Sequence, residues 1–222
     1  MSFDFKPCSL QKGITMEFIL ASNNAHKVEE MKAILASFFS PILSLAQAGI
    51  DIDVLEDGNT FEENAKKKAL AIAAIRPDCA IMADDSGLCV DALQGAPGVY
   101  SARFAGAAGD TAANNQKLLA ALQGVPAAQR GAHFVTAIAL YRPNHPLLLT
   151  QGRVDGQILD APRGTQGFGY DPLFWEPVQG LTFAEMDAAT KNADSHRARA
   201  LQALLAILAD ENPSDPKERA HA

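Results

Sequence analysis

The first apolar run of the 222-residue chain, Phe18 to Ala21, is typical of a buried strand. The polar segment Ser22 to Lys27 follows it, and apolar residues then recur at helical spacing at Met31, Ile34 and Leu35. This order predicts a strand, a polar loop and a helix at the start of the fold.

A second helix is predicted from Thr60 to Ile75. Thr60 and Glu63 have the spacing of a capping box at its start, and Pro77 follows its end. The run Lys66-Lys67-Lys68 lies inside this helix, and we interpret it as a solvated face rather than as a phosphate-binding patch.

Two adjacent carboxylates follow the apolar run Ala80 to Ala83, which predicts a short buried strand. The residues Asp84-Asp85-Ser86-Gly87 are expected to form a tight turn at its end, and the segment from Gly87 to Gly109 is predicted to be rich in loops. Carboxylates that leave a buried strand project into the crevice where α/β proteins bind ligands, and their oxygens suit Mg²⁺ on a phosphate substrate. An ordinary acidic turn explains the same residues, so the rest of the chain has to decide.

The second half of the chain predicts a helix, a hairpin and another loop. Asp110 or the threonine after it can cap a helix that ends near Leu122. The segments His133 to Tyr141 and Leu147 to Val154 predict neighbouring antiparallel strands, and Gly164 to Pro172 predicts an irregular loop.

Thr182 and Glu185 have the spacing of a further capping box, and Ser195 to Leu208 predicts the last long helix. Early alternation of strands and helices followed by a hairpin predicts an α/β fold with a mixed sheet rather than a purely parallel one. We expect one domain over residues 16–209, because neither a linker nor an internal repeat divides it.

The tails and the composition narrow the class of protein. Residues 1–15 are expected to be a disordered extension, and residues 210–222 a polar tail. A net charge of −7 argues against general binding to nucleic acid or to a membrane surface, because both need a basic footprint. The chain has three cysteines, Cys8, Cys79 and Cys89. Their spacing fits neither a zinc cluster nor a disulfide framework, which favours a cytoplasmic location.

Several familiar catalytic motifs are missing from the sequence. It contains no GxxxxGK[ST] loop, no GxGxxG segment after a strand and no GxSxG nucleophile elbow. The remaining hypothesis is a site for a metal ion and a phosphate. Glu56 and Asp57 lie just before the helix at Thr60, where a carboxylate could complete a metal shell with Asp85, although a solvated acidic turn is the alternative.

Cations and hydrogen-bond donors occur in two further segments. In the loop of residues 22–27, the Ser22 hydroxyl, the Asn24 amide, the Lys27 ammonium and the backbone amides of the helix start could donate to phosphate oxygens. Further donors gather around the start of the last helix: Lys191, Ser195, His196 and Arg197. Cations on both segments of an acidic chain favour a phosphate clamp over isolated surface residues.

The segment Phe168-Gly169-Tyr170-Asp171 combines flat aromatic surface, a glycine that allows close approach and a carboxylate that can accept from a ring N–H. Stacking of a base on an aromatic side chain contributes about 1–3 kcal/mol. A core aromatic cluster is the alternative, and it is the interpretation that we prefer for Phe174 and Trp175.

In their joint order, six segments of the chain resemble the non-standard purine nucleoside triphosphate pyrophosphatases, the inosine/xanthosine triphosphate family. The resemblance covers Phe18 to about Leu208. The segments that carry it are Ser22-Asn23-Asn24-Ala25-His26-Lys27, Thr60-Phe61-Glu62-Glu63-Asn64-Ala65, Asp84-Asp85-Ser86-Gly87-Leu88, Gly95-Ala96-Pro97-Gly98-Val99-Tyr100-Ser101-Ala102-Arg103, Gly167-Phe168-Gly169-Tyr170-Asp171-Pro172 and Ser195-His196-Arg197.

This resemblance implies an elongated mixed sheet flanked by helices, two lobes around a central cleft, a homodimer, and Mg²⁺-dependent cleavage of a purine nucleoside triphosphate to the monophosphate and pyrophosphate. Transferred by position, Glu56 and Asp85 would bind Mg²⁺, and Asp85 would also accept the proton. The substrate-binding residues would be Ser22, Asn23, Asn24, Ala25, His26, Lys27, Ser86, Phe168, Gly169, Tyr170, Asp171, Lys191, His196 and Arg197.

The chain departs from the family pattern at two positions. His26 stands where the family often has glycine, and Asp57 follows Glu56 in place of a small or hydroxyl residue. Two other functions stay open at this point: a non-catalytic nucleotide sensor that binds the nucleotide with Mg²⁺, and a pyrophosphatase for modified pyrimidine triphosphates. Release of pyrophosphate and a panel of substrates distinguish them.

Overall fold

The computed structural model describes residues 17–106 and 109–211, and the predicted disordered extension over 1–15 lies outside this part of the chain. Seven strands form its sheet: β1 Phe18–Leu20, β2 Ile42–Ser44, β3 Ala80–Val90, β4 Gly131–Tyr141, β5 Leu148–Ile158, β6 Phe174–Glu176 and β7 Leu181–Thr182. Their order is β2-β1-β3-β4-β5-β6-β7. β1 runs parallel to β2 and β3, and the remaining pairs are antiparallel, which confirms the predicted mixed sheet.

Five α-helices accompany the sheet in the described residues: α1 Ala25–Leu35, α2 Phe61–Ile75, α3 Thr111–Ala121, α4 Ala188–Asp194 and α5 His196–Glu211. Apolar residues of α2 pack on one face of the central strands, and those of α1 and α5 pack on the other. A third apolar cluster joins α3 to the far end of β3, β4 and β5. No helix of the described residues is both long and apolar enough to span a lipid bilayer.

Most of the described helices begin at a residue whose side chain caps the first turn. The side chains of Asn24, Thr60 and Asp110 each accept a backbone N–H in the first turn of α1, α2 and α3, respectively. The predicted starts of α2 and α3 are therefore confirmed, as is the hairpin of β4 and β5, whereas α1 begins at Ala25, inside the predicted loop of residues 22–27.

The predicted capping box at Thr182 is wrong. The Glu185 carboxylate does accept from the Thr182 amide, at 2.8 Å, but the chain makes only a turn there. The next helix, α4, begins at Ala188 with Asp187 as its cap. The last helix, α5, extends to Glu211, so the part of the predicted polar tail that the structure describes is helical.

The largest departure from the sequence prediction is β3. It pairs with β4 from Ile81, opposite Tyr141, to Val90, opposite Ala132, so Asp84-Asp85-Ser86-Gly87 lies inside a strand. The predicted turn and the short strand are therefore wrong. The turn preference of these residues is overridden because the ladder satisfies their backbone groups and charged partners compensate both carboxylates.

A glycine in β5 lets α5 lie directly on the sheet. Gly152 faces the start of α5, and a Cβ atom there would overlap the carbonyl oxygen of His196 and the amide nitrogen of Ala200. Both of these atoms belong to backbone and cannot rotate away. The position of His196 in the fold therefore depends on this close contact.

We expect Gly152→Ala to lower the free energy of unfolding by about 1–3 kcal/mol, the usual effect of overpacking. Urea denaturation measures it. Gly131→Ala is the matched control, because the nearest atom to its added Cβ is the carboxylate oxygen of the exposed Asp91 side chain, at 2.5 Å, which can rotate away. Equal losses of stability in the two variants would contradict the assigned backbone contact.

Candidate active site

A cleft of about 290 Å³ lies beside the middle of β3, where the chain leaves the carboxyl end of β1. Most of the predicted site residues line it: Ser22, Asn23, Asn24, Lys27, Glu56, Asp85, Ser86, Phe168, Gly169, Tyr170, Asp171, Lys191, His196 and Arg197. Two predicted residues do not. Ala25 is the first residue of α1, and the His26 ring stacks on Phe168 with its centroid 5.3 Å away.

The two adjacent aspartates of β3 point to opposite faces of the sheet, as successive residues of a strand must. Asp84 is fully buried on the side of α1 and α5. Its Oδ2 lies 3.0 Å from Lys27 Nζ and 3.6 Å from an Arg197 nitrogen. Burial alone would raise the pKa of Asp84, but the charges of Lys27, Arg197 and Lys68 outweigh it and hold this pKa well below the usual range. Asp84 therefore serves as an anion that holds two cations in place.

Asp85 faces α2 and the cleft. Its Oδ2 accepts a hydrogen bond of 3.0 Å from the Asn64 amide, and its Oδ1 accepts the Ser86 amide at 2.9 Å. Lys68 Nζ lies 3.9 Å from Oδ1. Burial raises the pKa of Asp85, and the nearby Glu56 carboxylate acts in the same direction. A carboxylate of raised basicity is suited to accept a proton.

Lys68 joins Asp85 to Glu56. Its ammonium donates to the Glu56 carboxylate at 2.7 Å, and its side chain is only 12% exposed. Our interpretation of the lysine run as a solvated face is thus wrong for Lys68, although it holds for Lys66 and Lys67. A helical spacing could have revealed the difference, because Lys68 lies seven residues after the buried Phe61 and four before the buried Ile72.

The donor set fits a magnesium ion that is shared with a phosphate. Glu56 and Asp85 both face one cation, Lys68, across a cleft. No cluster of three or more His, Cys, Asp or Glu residues that could hold a metal ion occurs within residues 17–106 and 109–211. Mg²⁺ commonly uses one or two carboxylates, several waters and the oxygens of a bound phosphate. Glu56 and Asp85 would supply the carboxylate ligands of such an ion, and waters and phosphate oxygens would supply the others.

The loop after β1 uses several of its polar groups within the protein. The Asn24 side chain accepts from the Lys27 amide at 3.2 Å, and the Asn23 side chain donates to the Ile52 carbonyl oxygen at 3.2 Å. Ser22 Oγ accepts from the Asn24 amide at 3.3 Å. The loop therefore has a defined shape, and Lys27, in the first turn of α1, lies at the edge of the cleft.

At the other end of the cleft, Asp171 holds the Phe168 segment in place. It is buried, and its Oδ2 accepts from the Phe168 amide at 2.8 Å and from Lys191 Nζ at 2.6 Å. Burial raises the pKa of Asp171, and the Lys191 charge opposes that shift. The Tyr170 hydroxyl donates to the Ser101 carbonyl oxygen at 2.9 Å. These contacts hold the segment that carries Phe168 in a fixed position beside the cleft.

Glu30 links the two cations of the helices α4 and α5, a role that the sequence reading did not assign to it. One of its carboxylate oxygens accepts from Lys191 at 2.8 Å, and the other pairs with Arg197. Arg197 is almost fully buried and also donates to Ser86 Oγ at 3.2 Å. The guanidinium is therefore fixed in a single orientation at the floor of the cleft.

His196 lies beside Arg197, and its ring stacks on Phe134 with centroids 4.7 Å apart. It is 4% exposed. Burial, reinforced by the charges of Arg197, Lys191 and Lys27, lowers the pKa of His196 well below its ordinary value. The imidazole is therefore neutral at physiological pH and carries one N–H donor.

The chain is similar to known proteins over most of its length. A model of the Ham1 family matches residues 18–207. A protein of Leuconostoc mesenteroides named dITP/XTP pyrophosphatase is 52% identical over 191 residues, which are 85% of this chain and 94% of that protein. A protein of the same name from Clostridium perfringens is 53% identical over 193 residues, 85% of this chain and 95% of that protein. The solved structure of the Staphylococcus aureus Ham1 protein matches with a TM-score of 0.78 at 40% identity, covering 88% of this chain and all of that one.

We expect the His196 ring to stay neutral between pH 7.5 and 5.5, because protonation would bury a charge beside Arg197 and Lys191. Its ring resonances in NMR spectra, identified with a His196→Gln variant, should not titrate in that range. An unfolded chain protonates this histidine near pH 6.5, so its contribution to the free energy of unfolding falls as the pH drops below about 6.5. A full titration of His196 above pH 6 would refute the assignment.

Proposed function

The chain belongs to the Ham1 family, and on that premise we propose that it hydrolyses non-canonical purine nucleoside triphosphates, such as dITP, ITP and XTP, to the monophosphate and pyrophosphate. The observation that carries the proposal is a single cleft that has paired carboxylates at one end and a supported aromatic ring with a neutral histidine and an arginine at the other. The name that these relatives share, dITP/XTP pyrophosphatase, supports the same substrate class.

At the carboxylate end, Glu56 and Asp85 would hold Mg²⁺, which when bound neutralises phosphate charge. Lys68 lies between these carboxylates and can turn to a phosphate oxygen once a metal ion takes its place. Lys27 lies in the first turn of α1 at the edge of the cleft. The two lysines supply fixed positive charge where negative charge develops during the reaction, which is the usual means of stabilising phosphoryl transfer.

Asp85 would orient a water molecule and take its proton as the water attacks the α-phosphorus. The bond from the α-phosphorus to the bridging oxygen then breaks, and that oxygen leaves with pyrophosphate. No covalent enzyme intermediate is required. Asp85 is suited to this step because its Oδ2 is committed to Asn64, while Oδ1 lies on the side of Lys68 and the cleft.

At the aromatic end, the base would stack on Phe168 while His196 and Arg197 donate to its 6-oxo group. Neutral His196 offers one N–H, and Arg197 is oriented by Glu30 and Ser86. Adenine presents an amino donor at that position, so two donors would face each other in a buried site and each would lose its partner. A loss of that kind costs about 1–3 kcal/mol for each buried group.

A homodimeric assembly and a cytoplasmic location remain part of the proposal, as the family resemblance and the cysteine pattern favour them. Neither enters the mechanism, because every residue that it uses lies on one chain. The alternatives are a nucleotide sensor and a pyrophosphatase for modified pyrimidine nucleotides. The experiment that follows distinguishes both from the proposed function.

Release of pyrophosphate from dITP, ITP, XTP and ATP tests the proposal. We expect turnover that requires Mg²⁺, with kcat/KM for the three 6-oxo purines at least about tenfold above that for ATP, the factor that corresponds to about 1.4 kcal/mol. Asp85→Asn should lower kcat by about 10²–10⁴-fold, because it removes the proton acceptor.

The outcomes separate the alternatives. Nucleotide binding without pyrophosphate release would identify a sensor. Higher kcat/KM for modified pyrimidine triphosphates than for dITP would replace the purine proposal. A folded Asp85→Asn variant with more than about a tenth of the wild-type kcat would remove Asp85 from the chemical step, since general-base catalysis contributes more than that.

Lys68→Ala should lower kcat for dITP by about 10²–10³-fold, as expected when one preorganised donor to a transition state is lost. Lys66→Ala is the matched control, because Lys66 lies two residues earlier on the same helix and is exposed. Steady-state kinetics at saturating Mg²⁺ give both values. Similar activity of the two variants would limit the role of Lys68 to balancing the charges of Glu56 and Asp85.

A further inference from the structure

Asn64 links the Asp85 carboxylate to the segment that carries Glu56. It lies on α2, is fully buried, and uses both ends of its side-chain amide. Its Oδ1 accepts from the Gly58 amide at 2.8 Å, and its Nδ2 donates to Asp85 Oδ2 at 3.0 Å. The orientation of the amide is fixed by chemistry, because the Gly58 N–H can only donate and the Asp85 carboxylate can only accept.

The segment that carries Glu56 depends on such contacts for its shape. Residues 51–58 form neither helix nor strand. Gly58 packs so closely on α2 that an added Cβ would lie 2.6 Å from Asn64 Oδ1 and 2.9 Å from the Glu63 side chain. Arg103 fixes the same segment from its other side by donating to the Glu56 carbonyl oxygen at 2.9 Å.

Asn64 therefore connects Asp85 on β3 with the segment that carries Glu56, and it does so through one rigid amide. It also commits Asp85 Oδ2 to the protein, which leaves Oδ1 on the side of Lys68. Hydrogen bonds from surrounding residues to metal ligands orient those ligands, and losing one typically lowers metal affinity or activity by about 10–100-fold.

We propose that Asn64 is a positioning residue that sets the separation and orientation of Glu56 and Asp85, and so determines the affinity of the cleft for a divalent cation. The proposal rests on the metal-binding role of these carboxylates in the proposed function. A purely structural role for Asn64 would change stability and leave the metal affinity of the folded protein unchanged.

The test is the affinity of the full-length protein for Mn²⁺, measured by the EPR signal of the free ion, with and without saturating pyrophosphate. Asn64→Leu keeps the size of the side chain and removes both hydrogen bonds. We expect its Mn²⁺ affinity to fall by about 10–100-fold, and the Mg²⁺ concentration for half-maximal activity to rise by a similar factor.

Asn114→Leu is the matched control. Asn114 is a buried asparagine on α3 whose amide also makes two bonds, accepting from the Ala105 amide at 2.7 Å and donating to the Ala102 carbonyl oxygen at 3.2 Å. It contacts neither Glu56 nor Asp85 by a hydrogen bond in the described residues. We expect Asn114→Leu to lower the free energy of unfolding while leaving Mn²⁺ affinity within about twofold of wild type.

Gly58→Ala provides a second route if Asn64→Leu does not fold. Its methyl group would displace Asn64 Oδ1 without removing the amide, and it should weaken Mn²⁺ binding in the same direction. Wild-type affinity in a folded Asn64→Leu or Gly58→Ala protein would overturn the proposal, as would failure of the wild-type protein to bind Mn²⁺ in either condition. Because no triphosphate is turned over in the binding measurement, its result is independent of whether dITP is the substrate.

Discussion

The Asp84 carboxylate is buried in the middle of β3, and it stays charged because Lys27 of α1 and Arg197 of α5 reach it from two separate helices. Removing one partner of such a buried ion pair typically costs about 3–5 kcal/mol. The pairing continues beyond Asp84, since Arg197 meets Glu30, Glu30 meets Lys191, and Lys191 meets Asp171. Cations and anions alternate along this series. It connects Asp84 in β3 with Asp171 in the segment that carries Phe168.

The sequence was sufficient to predict the elements whose signals are local. Thr60 and Asp110 have side chains that cap a helix whatever the rest of the fold does, and nearly all of the residues that the family resemblance assigned to a site line the cleft. The predictions failed where residues that are distant in sequence determine the local structure. Asp84 to Gly87 prefer a turn in isolation, and only β4 together with Lys27 and Lys68 makes a strand of them. The role of Lys68 depends likewise on the face that α2 presents to β3.

The internal pairing of charges also favours the proposal that a metal ion binds in this cleft. The three cations of the alternating series, Lys27, Arg197 and Lys191, are each matched by a carboxylate of the protein. On the other face of β3, the two carboxylates Glu56 and Asp85 share the single cation Lys68. The described residues around the cleft thus hold little unbalanced positive charge for a bound triphosphate, which favours the proposal that a divalent cation accompanies the nucleotide.

The alternation of side chains along β3 divides the cleft into two halves that can change separately in evolution. Asp85, Asn64 and Lys68 belong to the α2 side of the strand, whereas Ser86, His196 and Arg197 meet on the α5 side. If the proposed roles are right, substitutions on the α5 side would alter which nucleotide is recognised while the proposed hydrolytic residues on the α2 side stay unchanged, although Arg197 is also held by its pairing with Asp84. An insertion or deletion of one residue in β3 would exchange the two sides, so this strand should tolerate substitutions in a lineage far better than changes in length.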